Sequence, residues 1–325
     1  MQATGEQKRA VVLCHGFASH RDGFHLPSIA QHLAQKGVGS LRFDMAGNGE
    51  SDGVFEYGNY SSEAEDIRAA VQHLRGQGYQ VVAIVGASHL QALAFSCVSC
   101  AHWFECVWRV FTVNGIALVV HTWSHIGNCS AAKMCREQIA LGGCSRLHAL
   151  SADLFCAYYL PTRVLCLTEC AWNAGHSKGA NSALIYASVY DDVPNVINVA
   201  GRFDLKRGIT ERFGNDIAAR LARDKQIPLE DTRDDGVPIQ WNLTKWSYQD
   251  RINTDMQAAC KKIRCTDVLT VHGSKDRVSP VEDAHCWGQH IPHHKLKVVD
   301  GADHSFLMPA FSQQLISAVV EQCIL

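Results

Sequence analysis

Residues 81–86 read VVAIVG and residues 175–179 read GHSKG, and these two stretches decide the fold. The first is a continuous apolar run that ends at a glycine, which is typical of a buried strand in a parallel sheet. The second is a G-x-S-x-G box, and the residues that follow it, 180–186, predict a helix. In a strand–turn–helix motif the strand leads directly into the turn, which holds the serine hydroxyl at the sheet edge. Here residues 87–175 intervene, and deleting them would restore VVAIVGHSKG as one run.

The composition of residues 87–175 differs sharply from that of the flanks. This stretch holds nine of the fourteen cysteines and four of the seven tryptophans, but only 9 charged residues in 89, against 53 in 236 elsewhere. We therefore expect an atypical insertion and not a native domain. We interpret it as a translated retained intron, because the codons of Gly86 and Gly175 could each accommodate a splice junction. The alternative is a genuine inserted lid.

Outside the insertion, apolar strands alternate with amphipathic helices, which is the pattern of a parallel sheet covered on both faces. Strands are predicted at 10–14, 39–44, 81–85, 195–200, 267–271 and 296–299. Helices are predicted at 26–33, at 62–74 behind a capping box of Ser62 and Glu65, at 216–221 and at 309–322. We expect an α/β, mostly parallel, doubly wound sheet domain made of 1–86 and 176–325, in which 202–264 forms a small helical lid.

The overall composition excludes some classes of protein. The net charge is −2 and the pI is about 6.8, which gives no electrostatic case for binding nucleic acid or an anionic membrane. Residues 110–132 lack Asp, Glu, Lys and Arg, but only the first half of this run is strongly apolar, so we expect no stable membrane span. The N-terminus lacks the apolar core of a signal peptide, and we expect a cytoplasmic protein.

Three residues at predicted strand ends could form a catalytic triad. Ser177 lies in the G-x-S-x-G box, while Asp276 and His304 follow the strands at 267–271 and 296–299. Open α/β sheets place their sites at the carboxyl ends of the strands, and the chain order Ser, Asp, His suits a nucleophile, an acid and a base. Asp303 is the rival acid, but as the neighbour of His304 it is better explained as a turn former.

Backbone amides near the serine could stabilise an oxyanion. Phe17 follows the His15-Gly16 turn after the first strand, and Lys178 follows the serine. The N–H groups of Phe17 and Lys178 are therefore the expected oxyanion donors. Asp44, in a glycine-rich loop, is expected to have a structural role.

Other readings of the reactive residues stay open. Ser88 lies just after the strand at 81–85, and the sequence around it resembles a nucleophile turn. However, Leu90 occupies the position where a glycine would pack best. Cys97 and Cys100 lack a second suitably spaced pair, which argues against zinc. The histidines 290, 293 and 294 are expected to form a polar loop and not a metal site.

Five motifs carry a family resemblance. They are CHGF at 14–17, FDMAGNGES at 43–51, GHSKG at 175–179, HGSKD at 272–276 and GADH at 301–304. Together they resemble the α/β-hydrolase superfamily, and within it the serine-aminopeptidase-like branch that includes monoacylglycerol lipases, feruloyl esterases and many plant proteins. The resemblance covers 10–86 and 176–325, and it implies the α/β-hydrolase fold with a triad of Ser177, Asp276 and His304.

Two departures from that family stand out. Its members usually carry a β-hairpin before the first strand, whereas about ten residues precede that strand here, so we expect an N-terminal truncation. Family lids enter after the strand that follows the nucleophile helix, whereas residues 87–175 interrupt the nucleophile turn itself.

The leading hypothesis is a serine hydrolase that acts on carboxylic esters or related acyl compounds. Such chemistry takes a small-molecule acyl substrate and needs no metal or organic cofactor. The alternative is a catalytically impaired or non-catalytic protein of the same fold, either a ligand-binding or receptor-like protein or an inactive splice product. The sequence sets no oligomeric state.

Overall fold

The computed structural model describes residues 7–87, 106–113, 116–123 and 178–325. The chain divides into two compact units, one made of residues 1–92 and 171–325 and one of residues 93–170. The strands of the described residues, in chain order, are β1 (Arg9–Cys14), β2 (Gly39–Phe43), β3 (Gln80–Gly86), β4 (Cys106–Val113), β5 (Ile116–Trp123), β6 (Asn195–Val199), β7 (Gln226–Thr232), β8 (Pro238–Thr244), β9 (Asp267–Gly273) and β10 (His294–Val299).

The central sheet of the larger unit has six strands in the order β10-β9-β6-β3-β1-β2. Every neighbouring pair in it is parallel, so the predicted parallel sheet is confirmed. The smaller unit contains an antiparallel pair, β4 with β5. That 87–175 is not a native domain stays a prediction.

Helices cover both faces of the central sheet. They are α1 (Leu26–Gln35), α2 (Tyr60–Gly76), α3 (Lys178–Tyr190), α4 (Ile209–Phe213), α5 (Ile217–Asp224), α6 (Lys245–Asn253), α7 (Met256–Cys260), α8 (Val281–Gly288) and α9 (Pro309–Ile324). Side chains of β1 alternate between two cores, because successive residues of a strand point to opposite faces. Val12 packs in the core that contains α2 and α3, and Val11 packs in the core that contains α1 and α9.

Helix α2 begins earlier than its capping box predicts. The pattern at Ser62 and Glu65 places the start at 62, whereas the helix begins at Tyr60. The Asp250 carboxylate accepts the backbone N–H groups of Asn59 and Tyr60 at 2.5 and 3.3 Å. A distant carboxylate therefore satisfies the amides that open the helix, and a local pattern carries no sign of it.

The segment 202–264 is helical only in part, which corrects the predicted helical lid. Besides α4 to α7 it contains an antiparallel hairpin of β7 and β8. The turn between the strands includes Gly236, whose φ of +85° suits glycine, and Arg233 N–H donates to the carbonyl of Val237 at 2.8 Å. The Asp-Asp-Gly sequence at 234–236 was the available signal for this hairpin.

The end of β3 lies against the first turn of α3, although residues 87–177 separate them in sequence. A Cβ added at Gly86 would lie 2.3 Å from the carbonyl oxygen of Gly179 and 2.5 Å from the Cα of Ala180. Two backbone segments can approach this closely only where no side chain intervenes. The strand and the helix thus occupy the adjoining positions that a strand–turn–helix motif requires.

This close approach makes Gly86 intolerant of any side chain. We expect Gly86→Ala to lower the free energy of unfolding by about 2–3 kcal/mol, since the added carbon meets backbone that cannot rotate away. Gly76→Ala is the matched control, because an added Cβ there has nothing within 4 Å. Urea unfolding of the full chain measures both, and equal stability of the two variants would contradict the close contact.

Candidate active site

A buried carboxylate–imidazole pair lies at the carboxyl edge of the central sheet. Asp276 follows β9 and His304 follows β10, which are neighbouring parallel strands. His304 Nδ1 lies 2.6 Å from Asp276 Oδ2, and the two side chains are 1% and 0% exposed. Because a carboxylate can only accept, Nδ1 carries a proton, and in the neutral form of this ring the basic lone pair therefore lies on Nε2.

Three further donors hold the Asp276 carboxylate. Its Oδ1 accepts the backbone N–H groups of Val278 and Ser279, each at 2.8 Å. Its Oδ2 lies 3.3 Å from His272 Nε2, which is also 2.7 Å from the Ser279 carbonyl oxygen. A carbonyl oxygen only accepts, so His272 Nε2 is a donor and faces the carboxylate with a proton. Sequence analysis placed His272 in a motif but gave it no role.

The environment keeps Asp276 ionised. Burial alone would raise the pKa of its carboxyl group, but the charge of His304 and the hydrogen bonds from His272 and His304 outweigh burial. The pKa of Asp276 is therefore held well below its usual range. The rival acid Asp303 instead accepts the backbone N–H groups of Ser305 and Leu307 at 3.2 and 3.4 Å, as a turn former does.

The His15-Gly16-Phe17 turn is fixed against α3. A Cβ added at Gly179 would lie 2.1 Å from the carbonyl oxygen of His15. His15 Nε2 accepts the backbone N–H of Met45 at 3.0 Å, so Nδ1 carries the proton and donates to the Gly16 carbonyl at 2.8 Å. Burial lowers the pKa of His15 to about 4, which keeps this ring neutral. The segments that carry the expected oxyanion donors are therefore in contact.

The Phe17 side chain packs away from water. It is 3% exposed, and its ring centroid lies 4.9 Å from that of Phe55 and 5.9 Å from that of Trp241. Trp241 belongs to β8, so the hairpin of the 202–264 segment packs on the loop after β1. That the Phe17 and Lys178 amides bind an oxyanion stays a prediction.

A buried ion pair fixes the first residue of α3, and sequence analysis missed it. Lys178 Nζ lies 2.6 Å from a carboxylate oxygen of Glu63, and both side chains are 4% exposed. Nζ also donates to the carbonyl of Glu56 at 2.6 Å, and Ser182 Oγ donates to Glu63 at 2.6 Å. Burial raises the pKa of Glu63, although the charge of Lys178 opposes this. A glutamate on the buried stripe of α2 was the sequence signal.

Asp44 organises its own loop, as expected. Its Oδ1 accepts the backbone N–H of Arg21 at 2.6 Å, and its Oδ2 accepts that of Glu50 at 3.0 Å. The Arg21 guanidinium lies 2.7 Å from Oδ2. The carboxylate therefore ties together two loops at the carboxyl edge of the sheet.

The predicted reactive serines cannot be placed in this geometry. Ser177 and the alternative Ser88 both lie outside the described residues, and so do Cys97 and Cys100. Helix α3 begins at Lys178, immediately after Ser177. The roles of these serines stay predictions.

One group in the described part of the chain has ligand atoms close enough to hold a metal ion: His20, Asp234 and Asp235. Contacts within the protein already occupy these ligand atoms. His20 Nδ1 accepts the backbone N–H of Asp22 at 3.4 Å, which leaves the ring proton on Nε2, the atom that faces the two carboxylates. The Arg233 guanidinium also donates two hydrogen bonds, of 2.5 and 2.9 Å, to the Asp235 carboxylate. The cluster therefore links the hairpin turn to the loop after β1.

The predicted polar loop of three histidines is wrong for His294. This residue opens β10, and its Nε2 lies 2.8 Å from Thr270 Oγ1. Burial lowers the pKa of His294 to about 4. His290 stacks on Phe203 at 5.5 Å, and His293 lies 4.0 Å from Asp267, so the three rings contact different partners.

Comparisons with known proteins show which family model and which solved structures the chain resembles. The family model described as serine aminopeptidase, S33, matches residues 5–97. The chain is similar to the solved structure of Est1E from Butyrivibrio proteoclasticus with ferulic acid bound, at 18% identity and a TM-score of 0.54, over 99% of this chain and 90% of that chain. It is similar to the monoacylglycerol lipase of Paleococcus ferrophilus at 14% identity and a TM-score of 0.57, over 97% and 93%. It is also similar to a putative hydrolase from Agrobacterium vitis S4 at 16% identity and a TM-score of 0.58, over 97% and 88%.

No curated protein sequence matches the chain. The six-stranded parallel sheet and these structural likenesses show the α/β-hydrolase fold, so the expected fold is confirmed. The match to the serine aminopeptidase model supports the resemblance to that branch and to serine hydrolases. Within the described residues, no helix has the length and apolarity that crossing a membrane requires.

The depressed pKa of Asp276 predicts a pH-dependent loss of stability. A carboxyl group whose pKa is lower in the folded state stabilises the fold above its unfolded pKa of about 3.9, and this contribution disappears as pH falls through the folded value. We expect Asp276→Asn to cost about 2–4 kcal/mol near pH 7, and the gap from the unaltered protein to narrow below about pH 4.

Urea unfolding between pH 3 and 8 measures that gap. Asp303→Asn is the matched control. The carboxylate of Asp303 accepts hydrogen bonds from backbone N–H groups of its own turn. A gap for Asp276→Asn that is the same at every pH would contradict the ion-pair explanation.

Proposed function

We propose that the protein is a serine hydrolase that acts on carboxylic esters or related acyl compounds through a triad of Ser177, His304 and Asp276. The observation that carries the proposal is the buried hydrogen bond of 2.6 Å between His304 and Asp276. It lies on the carboxyl edge of the sheet whose strand β3 ends against the start of α3, and Ser177 immediately precedes that helix.

In the proposed reaction, His304 Nε2 takes the proton of the Ser177 hydroxyl as the oxygen attacks the acyl carbonyl. The ionised carboxylate of Asp276 holds the ring in the required tautomer and stabilises the imidazolium that forms. The backbone N–H groups of Phe17 and Lys178 donate to the tetrahedral oxyanion. His304 then protonates the leaving group, and water repeats the sequence on the acyl-enzyme to release the acid and restore the serine.

Lys178 contributes only its backbone to this scheme. Its ammonium group is paired with Glu63 and bonded to the Glu56 carbonyl, so it is directed into the protein and holds the first turn of α3. Because an oxyanion donor must be positioned before reaction, this anchoring supports the proposed role of the Lys178 amide.

The substrate is proposed to be a small acyl compound. The structural neighbours include an Est1E structure with ferulic acid bound and a monoacylglycerol lipase, which favours an ester among the possible acyl groups. The reaction uses side chains and water, and it needs no metal or organic cofactor. The near-neutral charge gives no basis for a nucleic-acid partner, and we propose a cytoplasmic location on the composition.

The alternative is a catalytically impaired or non-catalytic protein of this fold. The observation that favours it is the sequence separation of Gly86 from Lys178 by residues 87–177, because a nucleophile turn normally derives its rigidity from a strand joined directly to it. The contacts of Gly86 and Gly179 position α3 without a direct covalent link to the strand. They do not fix the position of the residues just before Lys178. A retained intron at 87–175 would explain this separation.

The nucleophile can be tested by substitution. We expect Ser177→Ala to abolish labelling by a fluorophosphonate probe and to reduce hydrolysis of a short p-nitrophenyl ester by about three orders of magnitude or more, since the proposed reaction begins with attack by this hydroxyl. Ser88→Ala is the matched control and is expected to keep both signals. Loss of labelling in Ser88→Ala alone would move the nucleophile to that serine.

The effect of the insertion can be tested by removing residues 87–175. A displacement of the serine by about 1 Å costs on the order of 100-fold in rate, so we expect the shortened protein to be at least that much more active than the 325-residue chain. Ester turnover and probe labelling of the two proteins, with circular dichroism to verify folding, measure the difference. Equal turnover would show that the insertion leaves the nucleophile turn intact.

A further inference from the structure

Two arginines of the 202–264 segment are buried, and among the described residues neither has a carboxylate partner. Arg202, just past β6, is 2% exposed, and Arg251, in α6, is 0% exposed. No Asp or Glu oxygen of the described residues lies within 4 Å of either guanidinium. The two carboxylates whose charges act on Arg202 have other partners, since Asp283 pairs with Arg207 at 2.8 Å and Asp276 pairs with His304.

The Arg202 side chain is charged and partly satisfied. Its Nη1 donates to the carbonyl of Arg207 at 2.9 Å, and its Nη2 donates to the carbonyl of Val278. Its Nε is buried and has no acceptor among the described residues. Burial lowers the pKa of Arg202 to about 10, and the charge of Arg251 adds to that effect, so Arg202 is a cation at neutral pH and the two guanidinium groups repel one another.

Among the described residues, no acceptor lies on one whole edge of the Arg251 guanidinium. Its Nη1 donates to the hydroxyl oxygen of Tyr60, and the guanidinium carbon lies 4.6 Å from the ring centroid of Tyr57. Its Nε and Nη2 are buried, and in the described part of the chain neither has a hydrogen-bond partner. The N–H bonds of these two nitrogens point in parallel along one edge of the plane, which is the edge that grips a carboxylate through two hydrogen bonds.

The positive charge of Arg251 and the geometry of its paired N–H groups favour the same kind of ligand. Burying an unpaired guanidinium is strongly unfavourable, and an aromatic ring or a carbonyl offsets only part of that cost. A water molecule can accept from the edge but brings no charge. We propose that the Nε–Nη2 edge of Arg251, beside the positive charge of Arg202, is a binding site for one small planar oxyanion, such as a carboxylate of one or two carbons or nitrate.

The site joins two parts of the fold. Tyr60 opens α2, which packs on the central sheet, while Arg251 lies in α6 of the 202–264 segment. A bound oxyanion neutralises the repulsion between Arg202 and Arg251 and so stabilises the packing of that segment on the sheet. The site binds its ligand whether or not the protein hydrolyses esters.

Thermal unfolding of the full chain tests the site, with sodium formate as the probe and ionic strength held constant. We expect formate to raise the unfolding temperature saturably, by on the order of 5 °C, and chloride to have a smaller effect because it cannot accept two parallel hydrogen bonds. Arg251→Lys keeps the charge but loses the paired N–H groups, and we expect it to lose the response to formate. Arg75→Lys is the matched control, because Arg75 makes its two hydrogen bonds to Asp192 at the surface and should keep the response.

Calorimetric titration of the unaltered protein with formate keeps the proposal testable if Arg251→Lys does not fold. About one formate per chain is expected, in agreement with the saturable shift. An unfolding temperature that rises equally with formate and chloride without saturation, or no measurable heat of binding, would overturn the proposal. An undiminished response in folded Arg251→Lys would overturn it as well.

Discussion

The close approach of the β3 backbone at Gly86 to the first turn of α3 is the contact on which the candidate site depends. A chain that leaves the sheet at Gly86 and returns at Lys178 has no short covalent link to hold the helix in register. The backbone contact of Gly86 with Ala180, and that of Gly179 with His15, supply that register without one. Because backbone meets backbone, the helix has almost no freedom to slide.

The polar groups around this junction reinforce the same placement. Lys178 anchors the start of α3 to Glu63 on α2, and the neutral ring of His15 binds the Met45 amide and the Gly16 carbonyl. Each of these groups is buried and has its hydrogen-bond partners, so displacing the helix would leave a charge or a donor unpaired. Electrostatics and packing therefore favour one position for the amide of Lys178.

Sequence patterns predicted the parts of this fold that are encoded locally. Continuous apolar runs such as that of β3 predict buried parallel strands, and residues at strand ends such as Asp276 and His304 meet because parallel strands end at one edge. The start of α2 was mispredicted because its amides are satisfied by Asp250, which is far away in sequence. The pairing of Lys178 with Glu63 depends on the packing of α3 on α2, and no local pattern specifies which helices pack together.

The buried ionic groups of this molecule differ in whether a group of opposite charge or a hydrogen-bond donor lies beside them. Asp276 has two histidines and two amides, and Glu63 has an ammonium group and a hydroxyl, so each anion is matched within the described residues. Arg202 and Arg251 are the opposite case, since they lie close enough for the charge of one to lower the pKa of the other. Within the described residues no carboxylate pairs with these cations, so the proposed oxyanion from solution supplies the compensating charge.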